Sequence, residues 1–477
     1  MEEQTRNIVV AVDYGTTHSS VAWMHPEAEN NVQFVDNWPG GSADTPTRVP
    51  SRIAYPDDNP TLEGKKAWGH EVTSAHVAAS WIKLLLEPGV EERVVENNNN
   101  NKRWLNSLGI FARPGGRAPS QIVQDFLNLL RNHAEAQIKN RCTARNHAIL
   151  PFAYVFTVPA TWSEKAITTL KQAARKAGCH GIDGKNDPLV IPEPEAALTT
   201  MIRDPGIPIQ EGDGVAICDC GGGTLDIGIY VVHRKATGAY MAVRSHTDLQ
   251  GGSTTVDRGF YTAASEGLVK DFDQLEQFET SPTSVLMIQF ELAKRNFQGT
   301  IDPDLQELRY MKNGKYFSCK FTSADMLRLQ SPVITRICSV LEDNISRGHR
   351  DFGSPMVKVR EYPIVILCLR WLTTTQHVYV SGATARSIYL RGALEKIFAN
   401  SLIDIRYPEF PQNVVAGGAA LWAYDRLRLV EHPHHHYGIE TPAPPEGAMD
   451  VDGNMPPITW VLRKVSLSRV HSYAKVI

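Results

Sequence analysis

Two stretches of the chain share one plan: an apolar strand, an aspartate at its end, a glycine-bearing turn with threonine at its far side, and a second strand. The first runs Ile8-Val9-Val10-Ala11-Val12, then Asp13-Tyr14-Gly15-Thr16-Thr17-His18, then Ser19-Ser20-Val21-Ala22-Trp23. The second runs Val215-Ala216-Ile217-Cys218, then Asp219-Cys220-Gly221-Gly222-Gly223-Thr224, then Leu225-Asp226-Ile227-Gly228-Ile229-Tyr230. β-Branched runs bounded by turn residues read as buried strands. Asp13 and Asp219 stand 206 positions apart, a domain-sized interval. A duplicated, two-lobed α/β architecture is the economical reading.

Composition narrows the class. Of 477 residues, 42% are apolar and 21% charged, as in a folded globular protein of two or three domains. Lys+Arg total 49 against 52 Asp+Glu, which argues against a nucleic-acid surface, because phosphate-backbone affinity needs excess cation. No apolar run approaches the ~20 residues that span a bilayer. Met1-Glu2-Glu3-Gln4 is acidic, unlike a secretory leader, and seven cysteines without a C-x-x-C pair suit a reducing compartment. The expectation is a cytoplasmic protein that engages neither membrane nor nucleic acid.

Along the chain, apolar spacing over Gln121–Lys139 predicts a helix, with Ile122, Phe126, Leu129, Leu130 and Ala134 on one face. Val155–Pro159 reads as a strand. Ser163 is the expected N-cap of a further helix that Gly178 stops. Asn97–Asn101 reads as a loop insertion, and the Pro- and His-rich 431–477 as a tail rather than a core element.

The two loops carry chemistry as well as topology. Glycines let successive N–H groups converge on one concavity, and threonine adds a hydroxyl, so such a loop suits a phosphate. An aspartate there would repel phosphate unless a divalent cation lay between, so Asp13 and Asp219 imply Mg²⁺ held through water. Two loops face to face could clamp the β- and γ-phosphates of a nucleotide. The other reading of the same residues is a pair of ordinary hairpin turns.

Asp13 to Thr17 and Asp219 to Asp226 resemble the two phosphate motifs of the actin-like ATPase superfamily. More narrowly, they resemble those of the heat shock protein 70 (DnaK-like) family, in a divergent branch. Val158-Pro159-Ala160, with the helix ending at Ala177-Gly178, is similar to its first inter-lobe connecting segment, and Glu193-Pro194-Glu195-Ala196-Ala197 to its Glu-Pro-x-Ala-Ala motif. Ala416-Gly417-Gly418-Ala419-Ala420 is similar to its second connecting helix, Glu291-Leu292-Ala293-Lys294-Arg295 to its adenosine helix, and Ser381-Gly382-Ala383-Thr384 to its second nucleoside loop. The resemblance implies a two-lobed actin-like ATPase fold with ATP or ADP and Mg²⁺ in the cleft. It gives Gly15, Thr16, Thr17, Gly222, Gly223 and Thr224 to the phosphates, and Gly251 and Gly252 to the ribose or phosphates. Glu291, Lys294, Arg295, Gly382 and Ala383 fall to the nucleoside, and Asp13 and Asp219 to the metal's water shell. Lys83 would neutralise the transferred phosphoryl group, while Glu193, Asp219 and Asp226 would orient the attacking water, with Thr224 beside them.

By the same resemblance, residues 1–210 form lobe I, completed by about 405–430. Residues 211–404 form lobe II, with an adenosine subdomain near 251–320, and 431–477 hold no peptide-binding domain. The implied activity is slow ATP hydrolysis that drives lobe opening and closing, with co-chaperones or nucleotide-exchange partners. A nucleotide-binding regulatory module with little hydrolysis, and a sugar or acetate kinase of the same superfamily, are the alternatives. Three departures stand out: Ser381 replaces a glycine and sets a Cβ toward the nucleoside, Gln412 replaces an acid, and Glu195 replaces a threonine.

Other motifs carry less. His70-Glu71 with His76 has the wrong spacing for a zincin, Gly184-Lys185-Asn186 is no Walker A, and Cys218 and Cys220 read as small packing residues. Val359–Gln376 has neither helical nor alternating periodicity and delays a strand that the fold needs. Its Val-Arg opening and Leu-Thr-Thr-Thr-Gln close can be encoded by intron ends, and we read these 18 residues as a translated intron. Its removal would join Met356-Val357-Lys358 to His377-Val378-Tyr379-Val380.

Overall fold

The computed structural model describes residues 7–28, 31–41, 46–90, 113–182, 184, 186–234, 239–249, 251–302, 306–353 and 375–430. Asn97–Asn101, the tail 431–477 and most of Val359–Gln376 lie outside the described residues. Thr5–Tyr424 form one compact unit, which holds the two large sheets.

The first sheet is built on β1 (Ile8–Tyr14), whose residues 8–12 are wholly buried. Strand β2 (His18–Met24) folds back on it antiparallel, pairing Asp13 with Ser20. Helix α1 (Pro119–Ala144) starts with proline at its first turn and buries Ile122, Val123, Phe126, Leu127, Leu130, Ala134 and Ile138 on one face. It leads to β3 (Phe152–Val158), parallel to β1. Helix α2 (Glu164–Lys176) is capped by Ser163, whose Oγ accepts from Ala166 N at 3.2 Å, and Gly178 turns the chain out with φ +88°. Then come β4 (Leu189–Pro192), parallel to β3, and α3 (Glu193–Arg203).

The second sheet repeats this order. Strand β5 (Gly214–Cys220) is its buried centre, β6 (Leu225–Arg234) its antiparallel partner and β7 (Ala239–Asp248) lies beyond. Helices α4 (Thr254–Ala263) and α5 (Val285–Asn296) follow. A hairpin of β8 (Gln306–Lys312) and β9 (Lys315–Phe321) then closes over Asn313-Gly314, both at positive φ as a two-residue hairpin turn demands. Helix α6 (Ser323–Gly353) returns to β10 (Thr375–Ser381), parallel to β5, then α7 (Ile388–Phe398), β11 (Asp404–Arg406) and α8 (Val414–Val430). The sheet orders, Gln33–Phe34/β2/β1/β3/β4 and β7/β6/β5/β10/β11, are the same path drawn twice. This is the mixed α/β fold with two lobes that the repeated motif predicts.

Strand β10 begins at Thr375, two residues before the expected junction at His377. Thr375 pairs with Gly214 and His377 with Val215, so the ladder slips by one residue there, and Gln376 Oε1 accepts from Gly214 N at 3.2 Å.

Two connecting helices cross beneath the lobes. A Cβ on Gly418 of α8 would stand 1.7 Å from the Ala196 carbonyl oxygen of α3, and Thr200 Oγ1 donates to Val414 O at 2.9 Å. Only glycine lets the two backbones approach so closely. Tyr240 on β7 donates its hydroxyl to Glu195 on α3 at 2.8 Å, so Glu195 joins the two lobes directly. Among the described residues no helix is long and apolar enough to cross a membrane.

Candidate functional site

Each sheet ends its first hairpin in a four-residue loop, Gly15–His18 in lobe I and Gly221–Thr224 in lobe II, and the loops meet tip to tip. A Cβ on Gly223 would lie 2.3 Å from Thr16 Oγ1, and one on Gly222 would lie 2.5 Å from Thr17 Oγ1. Amides from the start of α4 hold the carbonyls behind the second loop: Ser253 N donates to Gly221 O at 3.2 Å and Thr254 N to Gly222 O at 2.9 Å. In trans peptides N–H and C=O point oppositely, so the Gly222 and Gly223 amides face away from α4. A cleft opens beside the loops, walled by Asp13, Gly15, Thr16, Thr17, Lys83, Glu193, Asp219, Gly222, Gly223, Thr224, Gly382 and Ala383.

Lys83 sits on the short turn Ile82–Leu86, introduced by Trp81 at φ +63°, a conformation tryptophan seldom adopts. Ile82 and Leu86 pack into the lobe I core, while Trp81 and Leu84 pack into that of lobe II, so the turn wedges Lys83 into the junction. Its ammonium donates to Glu193 Oε1 at 2.6 Å and lies 5.7 Å from the Trp162 ring centroid. Burial opposes the charge on Lys83, yet Glu193, Asp13 and Asp226 outweigh it and hold its pKa above the ordinary value. Burial pushes the Glu193 carboxyl up to about 8; Lys83 opposes that rise and Asp226 adds to it.

Asp13 and Asp219 are held alike. Thr157 Oγ1 donates to Asp13 Oδ1 at 2.9 Å, and Ser381 Oγ donates to Asp219 Oδ1 at 2.7 Å. Burial raises the Asp219 pKa, and the Ser381 hydrogen bond offsets part of the rise. Asp226 is buried and does not line the cavity. Its Oδ1 accepts from Thr247 Oγ1 at 2.6 Å and from Ala160 N of lobe I at 2.8 Å. Four carboxylates therefore converge on one ammonium. Among the described residues, the buried Gln412 Oε1 at the cavity wall has no hydrogen-bond partner. Surplus carboxylate and an orphaned acceptor oxygen are a donor set that fits a hydrated divalent cation.

Other expected residues stand further back. Gly252 packs against the backbone of Gly222 and Gly223, and Gly251 against the Leu225 side chain, so both support the second loop from behind. Glu291, Lys294 and Arg295 lie outside the cavity wall on α5. Lys294 bonds to Asp257 and Glu291, and Arg295 Nε to Glu291 Oε1 at 2.7 Å. Cys218 and Cys220 are buried, with sulfurs 3.6 Å apart.

With this geometry in view, the comparisons decide the family. A family model described as Hsp70 protein matches residues 9–352, well over half of the chain. The chain belongs to the Hsp70 family. It is 30% identical over 234 residues to the chaperone protein DnaK of Burkholderia cenocepacia strain HI2424 and to that of Burkholderia orbicola strain MC0-3. Those matches cover 46% of this chain and 31% of each relative.

Within this Hsp70-family domain, the expectation for Ser381 needs correcting. Ser381 does not line the cavity. Ser381 is wholly buried at the end of β10, pairs with Asp219 across the ladder and turns its hydroxyl onto that carboxylate. The residue that faces the cleft is Gly382 at φ +82°, where a Cβ would stand 2.4 Å from Cys220 O. The cavity wall also holds His18, Ser20 and Arg48, which sequence reasoning missed. His18 and Ser20 flank a motif already noticed, whereas Arg48 lies in a three-residue strand with no local signal. Burial, then Arg48 and Arg52, lower the His18 pKa well below its usual range, so the imidazole is neutral at pH 7.

Proposed function

We propose that this Hsp70-family domain binds Mg²⁺-ATP between its lobes and hydrolyses it slowly, closing and opening the cleft as it does so. The observation that carries the reading is the interlock of two glycine-and-threonine loops beside a buried lysine and four carboxylates. Bound Mg²⁺ would supply charge neutralisation on the β- and γ-phosphates. Thr16, Thr17 and Thr224 offer hydroxyls to the phosphate oxygens, and Gly222 and Gly223 offer amides. Lys83 stands by its geometry to balance charge on the transferred phosphoryl group, and Asp13 and Asp219 order the metal's water. Glu193, at the cavity wall, orients the attacking water, with Asp226 behind it at the lobe junction. Gly382 and Ala383, with the α5 face of Glu291, Lys294 and Arg295, form the nucleoside side.

This reading supports a chaperone-type cycle in the cytoplasm with co-chaperones or exchange partners. The six cysteines among the described residues are buried and unbridged, which agrees with a reducing compartment. A kinase would need a base beside a second, phosphoryl-accepting substrate, and the carboxylates here lie at the lobe junction itself. The test is single-turnover hydrolysis of ATP by the purified chain, with and without Mg²⁺. Mg²⁺-dependent release of phosphate supports the ATPase. Tight binding without phosphate release favours the regulatory module instead.

A further inference from the structure

Arg48 opens the short strand Arg48–Pro50, which pairs antiparallel with β2 so that Arg48 lies opposite Ser20. Both residues line the cavity. The strand is pinned on two sides. Ser51 N donates to Thr17 O at 2.9 Å, directly behind the first loop, and His70 Nε2 lies 3.0 Å from the Arg48 carbonyl oxygen.

The side chain, by contrast, has no partner. Among the described residues the Arg48 guanidinium enters no hydrogen bond and no ion pair, although it carries five donors and a full charge. The guanidinium is part-buried in the cavity wall, where an unpaired cation is open to an anion entering the cleft. Burial lowers its pKa to about 10, Asp13 and Glu291 pull it up, and Arg295 and Arg386 push it down. These neighbours bracket Arg48 between the loop aspartate at one end of the cleft and the α5 and nucleoside-loop charges at the other. Glu291 is already engaged by Lys294 and Arg295, so it is a poor partner for a third cation.

We propose that Arg48 is a phosphate-binding residue, whose guanidinium docks on the polyphosphate of the bound nucleotide from the lobe I wall. The planar fork can take two phosphate oxygens at once, which an ammonium cannot. The Gly222–Gly223 amides approach from lobe II, so Arg48 completes the clamp from the side where loop I offers mainly hydroxyls. The neighbouring imidazole of His18 is neutral, so the lobe I cations on this cavity are Arg48 and Lys83, and Lys83 is already paired with Glu193. The proposal rests on the ATPase reading and adds to it a residue that sequence motifs do not carry.

The experiment is calorimetric titration of the full chain with Mg²⁺-ADP and, separately, with adenosine. Arg48→Met, Arg48→Gln and Arg48→Lys are compared with the parent, and thermal melts check folding. Loss of a charge-assisted hydrogen bond corresponds to about ten- to a hundredfold. We expect Met and Gln to weaken Mg²⁺-ADP by that factor, Lys to recover part of it, and adenosine to bind within about twofold of the parent. Two neutral variants are used so that a folding defect in one leaves the other to decide. Parent-like Mg²⁺-ADP affinity in a folded neutral variant overturns the assignment, as does an equal loss for adenosine, which would point to a latch onto Glu291. If the parent binds neither ligand, the ATPase reading falls as well, so the two failures are distinguishable.

Discussion

The two loops occupy equivalent places in equivalent sheets, and their differences show how a duplicated fold makes an asymmetric site. Asp13 pairs with Ser20 and Asp219 with Asp226 in matching hairpin registers. Four residues lie between the last paired positions of each hairpin, Gly15-Thr16-Thr17-His18 against Gly221-Gly222-Gly223-Thr224. Thr16 meets Gly223 and Thr17 meets Gly222, so the second place of each loop touches the third of the other, as a pseudo-two-fold axis requires. Side chains fill one half of that contact and bare backbone the other. The clamps correspond too: Thr157 on β3 and Ser381 on β10 each give a hydroxyl to the loop aspartate. The serine at 381 makes the two halves more alike. Ser20 and Asp226 are where they part, and Asp226 adds a carboxylate that ties lobe II to Ala160 of lobe I.

The largest effect should come from the turn that belongs to both cores. Lys83→Met removes the cation at the lobe junction and should slow single-turnover hydrolysis by ~10²–10³, the usual loss for one aligned transition-state contact. Mg²⁺-ADP affinity should stay within about tenfold. Parent-like hydrolysis would show that the buried pair with Glu193 is structural only.

Next is the interlock itself. Gly223→Val places a branched side chain where Thr16 sits, and overpacking of about 1–3 kcal/mol should cost five- to a hundredfold in nucleotide affinity. Thr16→Ala alone removes one hydroxyl and should cost tenfold or less. Combining Thr16→Ala with Gly223→Val should recover part of the loss, because the Thr16 Cγ2 and Oγ1 atoms are the crowding partners. Simple additivity of the two would mean that the loops do not touch in solution.

These loops were the legible part of the sequence for a physical reason. A strand that ends in aspartate and glycines is written in consecutive residues, and so is a Ser163 cap three residues before Ala166. Arg48, Lys83 and Ser381 depend on what the ladder brings beside them. Lys83 sits on a turn whose neighbours point into different cores, a pattern with no helical or alternating period. Ser381 turned out to face Asp219 because the β5–β10 register sets them opposite, which no local motif encodes. Gly251 and Gly252 look like ligand-approach glycines in sequence, and a Cβ on either would meet the second loop or Leu225 beside it.

The clamps allow a smaller, symmetric test. Ser381→Gly deletes the hydroxyl on Asp219, and Thr157→Val deletes the one on Asp13. A hydrogen bond to a buried carboxylate corresponds to about 1–3 kcal/mol. Each variant should therefore shift the Mg²⁺ concentration needed for half-maximal ADP binding severalfold or more, by similar amounts if the halves are equivalent. A shift for Ser381→Gly alone would mean that lobe II dominates the metal.

The smallest effect concerns pH and the carboxylate excess that both halves create. Burial holds Glu193 at about 8 in the folded chain, against an ordinary glutamate near 4.3 when unfolded. Between these values the folded state keeps a proton that the unfolded state has lost. The unfolded state thus binds fewer protons, and stability falls as pH rises through the window. Without nucleotide or metal, the melting temperature should drop from pH 6 to pH 8.5 by a few degrees, roughly 2–5 °C for a change of one or two kcal/mol. Glu193→Gln cannot ionise and should flatten this slope, whereas Asp36→Asn, a half-exposed site bonded to Arg141, should leave it in place. Mg²⁺-ADP should also flatten it, because a divalent cation favours the ionised carboxylates. A parent melting curve that rises over the same interval would show that Lys83 keeps Glu193 ionised throughout, and would make the junction an ordinary buried ion pair.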